Sequence, residues 1–133
     1  MDEVKRFVGI DVAKAALDVF IGSAAAAFSV ANDEVGIQEL FRQLKPADFV
    51  ILEATGGLEM PVASALAAAG IAVAIVNPRQ VRDFARATGR LAKTDRLDAE
   101  VLARFGEAVR PEARPLANER AQALEVLLPG GTS

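Results

Sequence analysis

The chain contains no histidine, no cysteine, no tryptophan and no tyrosine. Without histidine there is no imidazole base and no imidazole metal ligand. Without cysteine there is no thiol nucleophile, no disulfide and no thiolate zinc site; this fits a cytosolic setting. Without tyrosine there is no phenolic nucleophile. Four serines remain, Ser23, Ser29, Ser64 and Ser133, and none lies in a G-x-S-x-G elbow or another activating context. No apolar run approaches the roughly 18 residues needed to span a bilayer. The charged start, MDEVKR, does not read as a signal peptide. Chemistry must therefore rest on carboxylates, hydroxyls, amines, backbone groups or a bound ion. The simplest form of it is a set of Asp and Glu side chains holding a hard cation such as Mg²⁺.

What is present is a chain of 133 residues, 52% of them apolar. That length suits one domain and can bury a real core. The net charge of −3 argues against a uniformly basic nucleic-acid binder. The charge is uneven, however. Seven basic residues fall between Arg79 and Arg104 against four acids, so that stretch is +3 and the remainder −6. A local basic stripe suits phosphate contacts. A solvated helix face laced with i,i+3 and i,i+4 pairs would look the same.

Along the chain, RFVGIDVAK and ALDVFIG read as hairpin-linked strands, and AFSVAN as a third. DEVGIQELFRQL has helical spacing behind an Asn32/Asp33 cap. FVILEA is a continuous apolar run, the mark of a strand buried on both faces. LEMPVASALAAAG reads as a helix with Pro61 in its first turn and Gly70 at its end. IAVAIVN is another buried strand. Pro78 opens the helix PRQVRDFARAT, and a last helix is predicted to begin near Thr94 or Asp95. The pattern is α/β: three antiparallel strands, then two parallel strands each reached through a helix. PLANERAQALEVLL opens like a further helix before PGGTS, so the chain reads as a piece of something longer.

Four acids stand out. Asp11 interrupts an apolar strand and Glu53 ends another, although acids are depleted from strands and costly to bury unpaired. Asp95 and Asp98 are three apart, which on a helix would place both carboxylates on one face. If that face meets the two strand ends, four carboxylates converge. They repel unless cations lie between them. A pair of Mg²⁺ ions answers that repulsion and suits in-line attack on a phosphodiester. Lys14, Arg79, Arg82, Arg86, Arg90 and Lys93 are the candidate phosphate contacts. Arg79, Arg82 and Arg86 share one helix face.

GIDVAK, EATGGLE and NPRQVRDFARATGRLAKTDRLDA, in that order, resemble the N-terminal domain of DEDD-type insertion-sequence transposases, the one-hundred-and-ten group. The resemblance covers about Phe7 to Arg110. It implies a RuvC-like, ribonuclease-H-type fold with a five-stranded mixed sheet flanked by helices. It implies that residues 1–110 are the catalytic domain and 111–133 the start of a linker helix with a truncated or non-native tail. It also assigns the DEDD acids to Asp11, Glu53, Asp95 and Asp98, binding Mg²⁺ or Mn²⁺ for DNA strand cleavage and exchange in the bacterial cytoplasm. Members of the family are guided by a structured non-coding RNA, the bridge RNA, and the full-length protein is expected to form homo-oligomers. A second domain of the family supplies a catalytic serine. Nothing in this chain matches that domain, so the isolated piece is expected to be inactive or weak.

Other classes stay open on the residues. A sugar-kinase or actin-like phosphotransferase also places an Asp after Gly-Ile on its first strand, but needs a Gly- or Ser/Thr-bearing phosphate loop, where this chain has Ala13 and Lys14. A stand-alone Holliday-junction nuclease of RuvC type would need the four acids and no serine. A non-catalytic nucleic-acid-binding or dimerisation module would bind without cutting.

Overall fold

The structure, a computed structural model, describes residues 6–89 and 98–112. Five strands form one sheet: β1 (Phe7–Val12), β2 (Ala16–Ile21), β3 (Ala26–Ala31), β4 (Phe49–Glu53) and β5 (Ala72–Val76). Four helices complete the described fold: α1 (Glu34–Gln43), α2 (Met60–Ala68), α3 (Pro78–Ala87) and α4 (Ala99–Val109). The sheet order is β3-β2-β1-β4-β5. β1, β2 and β3 pair antiparallel, while β4 and β5 add in parallel, as the sequence pattern predicted. No described helix is long and apolar enough to cross a membrane.

Alternation along the strands divides the core between two faces. On one, Val8, Ile10 and Val12 of β1 and Leu17 and Val19 of β2 pack against Ile37 and Leu40 of α1 and Val62 and Leu66 of α2. On the other, Phe7, Phe49, Ile51 and Val76 meet Val81 and Ala85 of α3 and Leu102 and Phe105 of α4. Ile10, Leu17, Leu52 and Leu66 are fully buried, each contributing about 1.5–3 kcal/mol. The first face is apolar from end to end of β1, whereas the second turns polar at Asp11.

Local chemistry sets the helix starts. Asp33 caps α1 by accepting from Gly36 N at 2.7 Å, and Asn77 caps α3 by accepting from Arg79 N at 2.8 Å. Pro78 takes the first position of α3, where its missing N–H costs nothing. The start of α4 corrects the sequence reading. The helix begins at Ala99, not near Thr94 or Asp95. Asp98 is extended, with φ −130° and ψ −179°, and its Oδ1 accepts from Val101 N at 3.0 Å. Aspartate competes for backbone N–H groups and so favours the cap over the helix interior. Asp98 is therefore a cap residue, outside the helix proper; Asp95, with which it was expected to share a helix face, lies outside the described residues.

Gly9 fixes how closely α4 lies on the sheet. A Cβ at this position would overlap the Ala99 carbonyl oxygen and come within 2.6 Å of Ala103 N. Further along the helix, Gly106 lies on Ile51 and Phe7. Ala99 thus sits over Gly9 and Gly106 over the start of β1, so α4 runs antiparallel to that strand with its N-terminus at the strand's carboxyl end.

Candidate metal and nucleic-acid site

Asp11 and Glu53 each follow directly on the register pair Ile10↔Leu52. Neighbours in parallel register point to the same face, so the two carboxylates stand side by side on adjacent strands. Both are half-buried, and both engage neighbouring groups. Their face is that of Gly9 and Ile51, which carries α4. Stepping back from Ala99 to Asp98 moves along the helix axis toward Asp11. Three of the four acids singled out in the sequence, Asp11, Glu53 and Asp98, therefore belong to one end of one face. The α4 N-terminus also brings the positive end of a helix dipole to this edge, which favours carboxylates there.

The fourth acid, Asp95, lies outside the described residues, as do Arg90 and Lys93. Among the described residues no three acids gather closely enough to hold a metal ion. The donor chemistry nevertheless suits one. These side chains are oxygen ligands without competing nitrogen or sulfur, as Mg²⁺ and Mn²⁺ require. Asp98 commits Oδ1 to its cap, and a carboxylate has a second oxygen.

A fifth acid escaped the sequence reading. Asp18 is the cross-strand partner of Asp11 and Ser29 the partner of Asp18. Ser29 Oγ donates to Asp18 Oδ1 at 2.8 Å. One register row thus carries Ser29, Asp18, Asp11 and Glu53 across four strands. Like charges directly opposed destabilise a sheet. The signal was present in ALDVFIG, where an acid occupies an inner position of an alternating strand. Asp18, Phe20, Phe28, Ser29, Asp98 and Glu100 border an open concavity of about 440 Å³ beside the row.

The loop leaving Glu53 is held by a second residue the sequence reading passed over. Glu59 is only 6% exposed, and its Oε1 accepts from Thr55 N at 3.0 Å, Thr55 Oγ1 at 3.0 Å and Gly57 N at 3.1 Å. Burial pushes this carboxyl up, but the bonds from Thr55, its own N–H and Gly57 outweigh burial and hold it below the ordinary glutamate value. Gly56 and Gly57 adopt φ of +70° and +103°, a conformation that favours glycine.

The basic candidates divide. Lys14 is exposed in the turn between β1 and β2, immediately beyond Asp11. Arg79, Arg82 and Arg86 all lie on α3, which leaves the sheet from Val76, the register partner of Glu53. Arg79 and Arg86 are exposed, on the side away from buried Val81 and Ala85, and Arg82 is half-buried and engaged. Arg86 pairs with Asp83 at 3.4 Å, both exposed; such a pair contributes little and can exchange partners. The turn, the Glu53 loop and the N-termini of α3 and α4 all cluster at the carboxyl ends of the parallel strands, where open α/β sheets bind ligands.

Comparison with known proteins identifies the family. A family model of transposases, of the DEDD and IS110 type, matches residues 8–128. Two curated relatives, the pilin gene-inverting proteins of Moraxella bovis and Moraxella lacunata, are each 31% identical over 115 residues, 80% of this chain. The chain spans 36% of the length of each of these relatives.

Proposed function

The chain belongs to the DEDD, IS110-type transposase family, and from that premise we propose that it forms the acidic part of a metal-dependent site for DNA strand cleavage and exchange. The observation that carries the reading is the shared face and shared end of Asp11, Glu53 and Asp98. Asp11 and Glu53 would hold Mg²⁺ or Mn²⁺, with Asp98 and Asp95 completing the set. When bound, the metal polarises a phosphodiester and stabilises charge on the attacking and leaving oxygens. The chain's own residues supply the frame. β1 and β4 fix two carboxylates, the α4 cap fixes a third, and Lys14 with Arg79, Arg82 and Arg86 orients phosphates without reading bases. Arg90 and Lys93 extend the same stripe.

Residues 1–110 would form this domain and residues from 111 onward would lead to the rest of the recombinase, acting in the bacterial cytoplasm. The relatives' name, pilin gene-inverting protein, describes rearrangement of DNA. By that likeness the partner of this chain is DNA, handled by a homo-oligomer of the full-length protein. A structured guide RNA is the finer expectation, and the same stripe of bases suits its phosphates.

The test is thermal unfolding of the chain in rising Mg²⁺ or Mn²⁺, for wild type and Asp11→Ala. Metal that binds only the folded state raises the midpoint. Wild type should shift at millimolar metal and Asp11→Ala should not. Equal shifts in both would place the metal elsewhere.

A further inference from the structure

Glu59 occupies an unusual place. It stands at the N-cap position of α2, yet its side chain makes no capping bond to that helix. A capping side chain accepts from the first turn ahead of it. Glu59 reaches backward instead, and one oxygen, Oε1, collects three donors from Thr55 and Gly57. Those residues lie in the short loop that begins directly after Glu53. The loop's other end is tied to β5, where Ala54 N donates to Val76 O at 3.1 Å. Among the described residues Glu59 is one of two buried charged groups. The other, Asp48, is neutralised by Arg6. Glu59 has bonds from neutral donors in place of a cation, and its pKa below the ordinary range is the mark of a carboxylate held charged.

A buried carboxylate that faces, among the described residues, N–H and O–H donors is a costly way to begin a helix. Glutamate is not among the favoured caps, and an apolar side chain would fill the space without the burial cost. What the carboxylate achieves is geometric: it draws Thr55 N and Gly57 N to one point, which sets the curvature of the chain leaving Glu53. We infer that Glu59 is a positioning residue for Glu53, its buried carboxylate tying the loop after β4 and thereby fixing where the Glu53 carboxylate stands. This rests on the reading of Glu53 as a metal-holding acid. Charge-assisted bonds are about twice as strong as neutral ones, so an amide in this place would keep the shape of the tie and lose part of its strength.

The experiment compares wild type with Glu59→Ala, Glu59→Gln and Asp33→Ala. The last removes a carboxylate that likewise accepts a backbone N–H, but at the start of α1 beyond β3, three places from β4 in the sheet. Backbone order is read from ¹⁵N relaxation without metal, and Mn²⁺ affinity from paramagnetic broadening at Glu53. Glu59→Ala should drop the order parameters of Glu53 to Gly57 from about 0.85 toward 0.6. It should also weaken Mn²⁺ roughly 10-fold, the loss typical of an outer-shell partner. Glu59→Gln should restore most of both, and Asp33→Ala should change neither. If Glu59→Ala proves too unstable to study, Thr55→Val removes one of the three donors at nearly constant volume and should loosen the same residues to a smaller degree. Loosened order with no Mn²⁺ broadening even in wild type would sustain the positioning role and sink the metal reading. Glu53 to Gly57 staying ordered in Glu59→Ala, or in Thr55→Val should that variant stand in for it, would overturn the inference.

Discussion

The two ends of the sheet use the same residue types for opposite purposes. At the amino end of the parallel strands, Asp48 is 1% exposed and fully paired. Arg6 grips it through Nε at 2.8 Å and Nη2 at 2.7 Å, and Lys45 N donates to it at 2.8 Å. The Phe7 and Phe49 rings stack beside this clamp at 5.7 Å, and Arg110 lies over Phe7. At the carboxyl end, Asp11, Asp18 and Glu53 occupy neighbouring places in one row, with Asp98 held above. One end closes its carboxylate with a two-point grip from an arginine of the chain. The other sets carboxylates in neighbouring register places, where like charges work against one another. The contrast is the one expected between an acid kept for stability and acids kept for the proposed site.

The largest expected effect is at the clamp. Asp48→Ala leaves Arg6 without its partner and orphans Lys45 N, and removing one member of a buried pair costs about 3–5 kcal/mol. Arg6 retains some solvent contact, so the lower end of that range is expected in urea unfolding. Metal affinity per folded molecule should not change, because the clamp lies at the far end of the strands.

Gly9→Ala comes next. The added methyl meets the α4 backbone, and overpacking costs about 1–3 kcal/mol. Here metal binding should fall as well, since displacing α4 moves Asp98 from Asp11. A variant destabilised to this degree that kept its metal affinity would uncouple α4 from the site.

Acid titration sharpens the comparison further. Glu59 has its folded pKa held below the ordinary 4.5. Its contribution to stability is complete above that value and is lost as the pH falls through the lower folded pKa. Chemical unfolding between about pH 5 and pH 3 should show wild type losing stability more steeply than Glu59→Gln, which cannot take up that proton.

The smallest effect has the opposite sign. Asp18→Asn removes the like-charge opposition to Asp11 across β1 and β2 while keeping an acceptor for Ser29 Oγ, and in urea unfolding it should gain about 0.2–1 kcal/mol.

The three antiparallel strands, the two parallel additions and the positions of Asp11 and Glu53 were legible in the sequence because apolar alternation and an acid at the end of a buried run are local signals. The convergence of Asp11 and Glu53 follows from parallel register, which the helix–strand–helix pattern already implied. Asp98 was legible as an acid but not as a cap, because Asp95–Asp98 spacing fits a helix face while aspartate chemistry favours the helix edge. Asp18 was hidden because its significance depends on which residue lies across from it. Glu59 was hidden for a different reason. It sits in a stretch that reads as helix start, and only its burial and backward bonds set it apart from a surface glutamate.

The proposed site rests on Asp11 and Glu53 holding one ion, with Asp98 beside them at the α4 cap. The most direct measurement is site-resolved broadening of amide signals by substoichiometric Mn²⁺ on the 133-residue chain. The amides of Asp11, Glu53 and Asp98 should broaden together at the lowest Mn²⁺ concentrations, while those of Asp48 and Phe49 stay sharp. Broadening confined to exposed surface acids such as Glu39 and Asp83, with Asp11 and Glu53 unaffected, would contradict it.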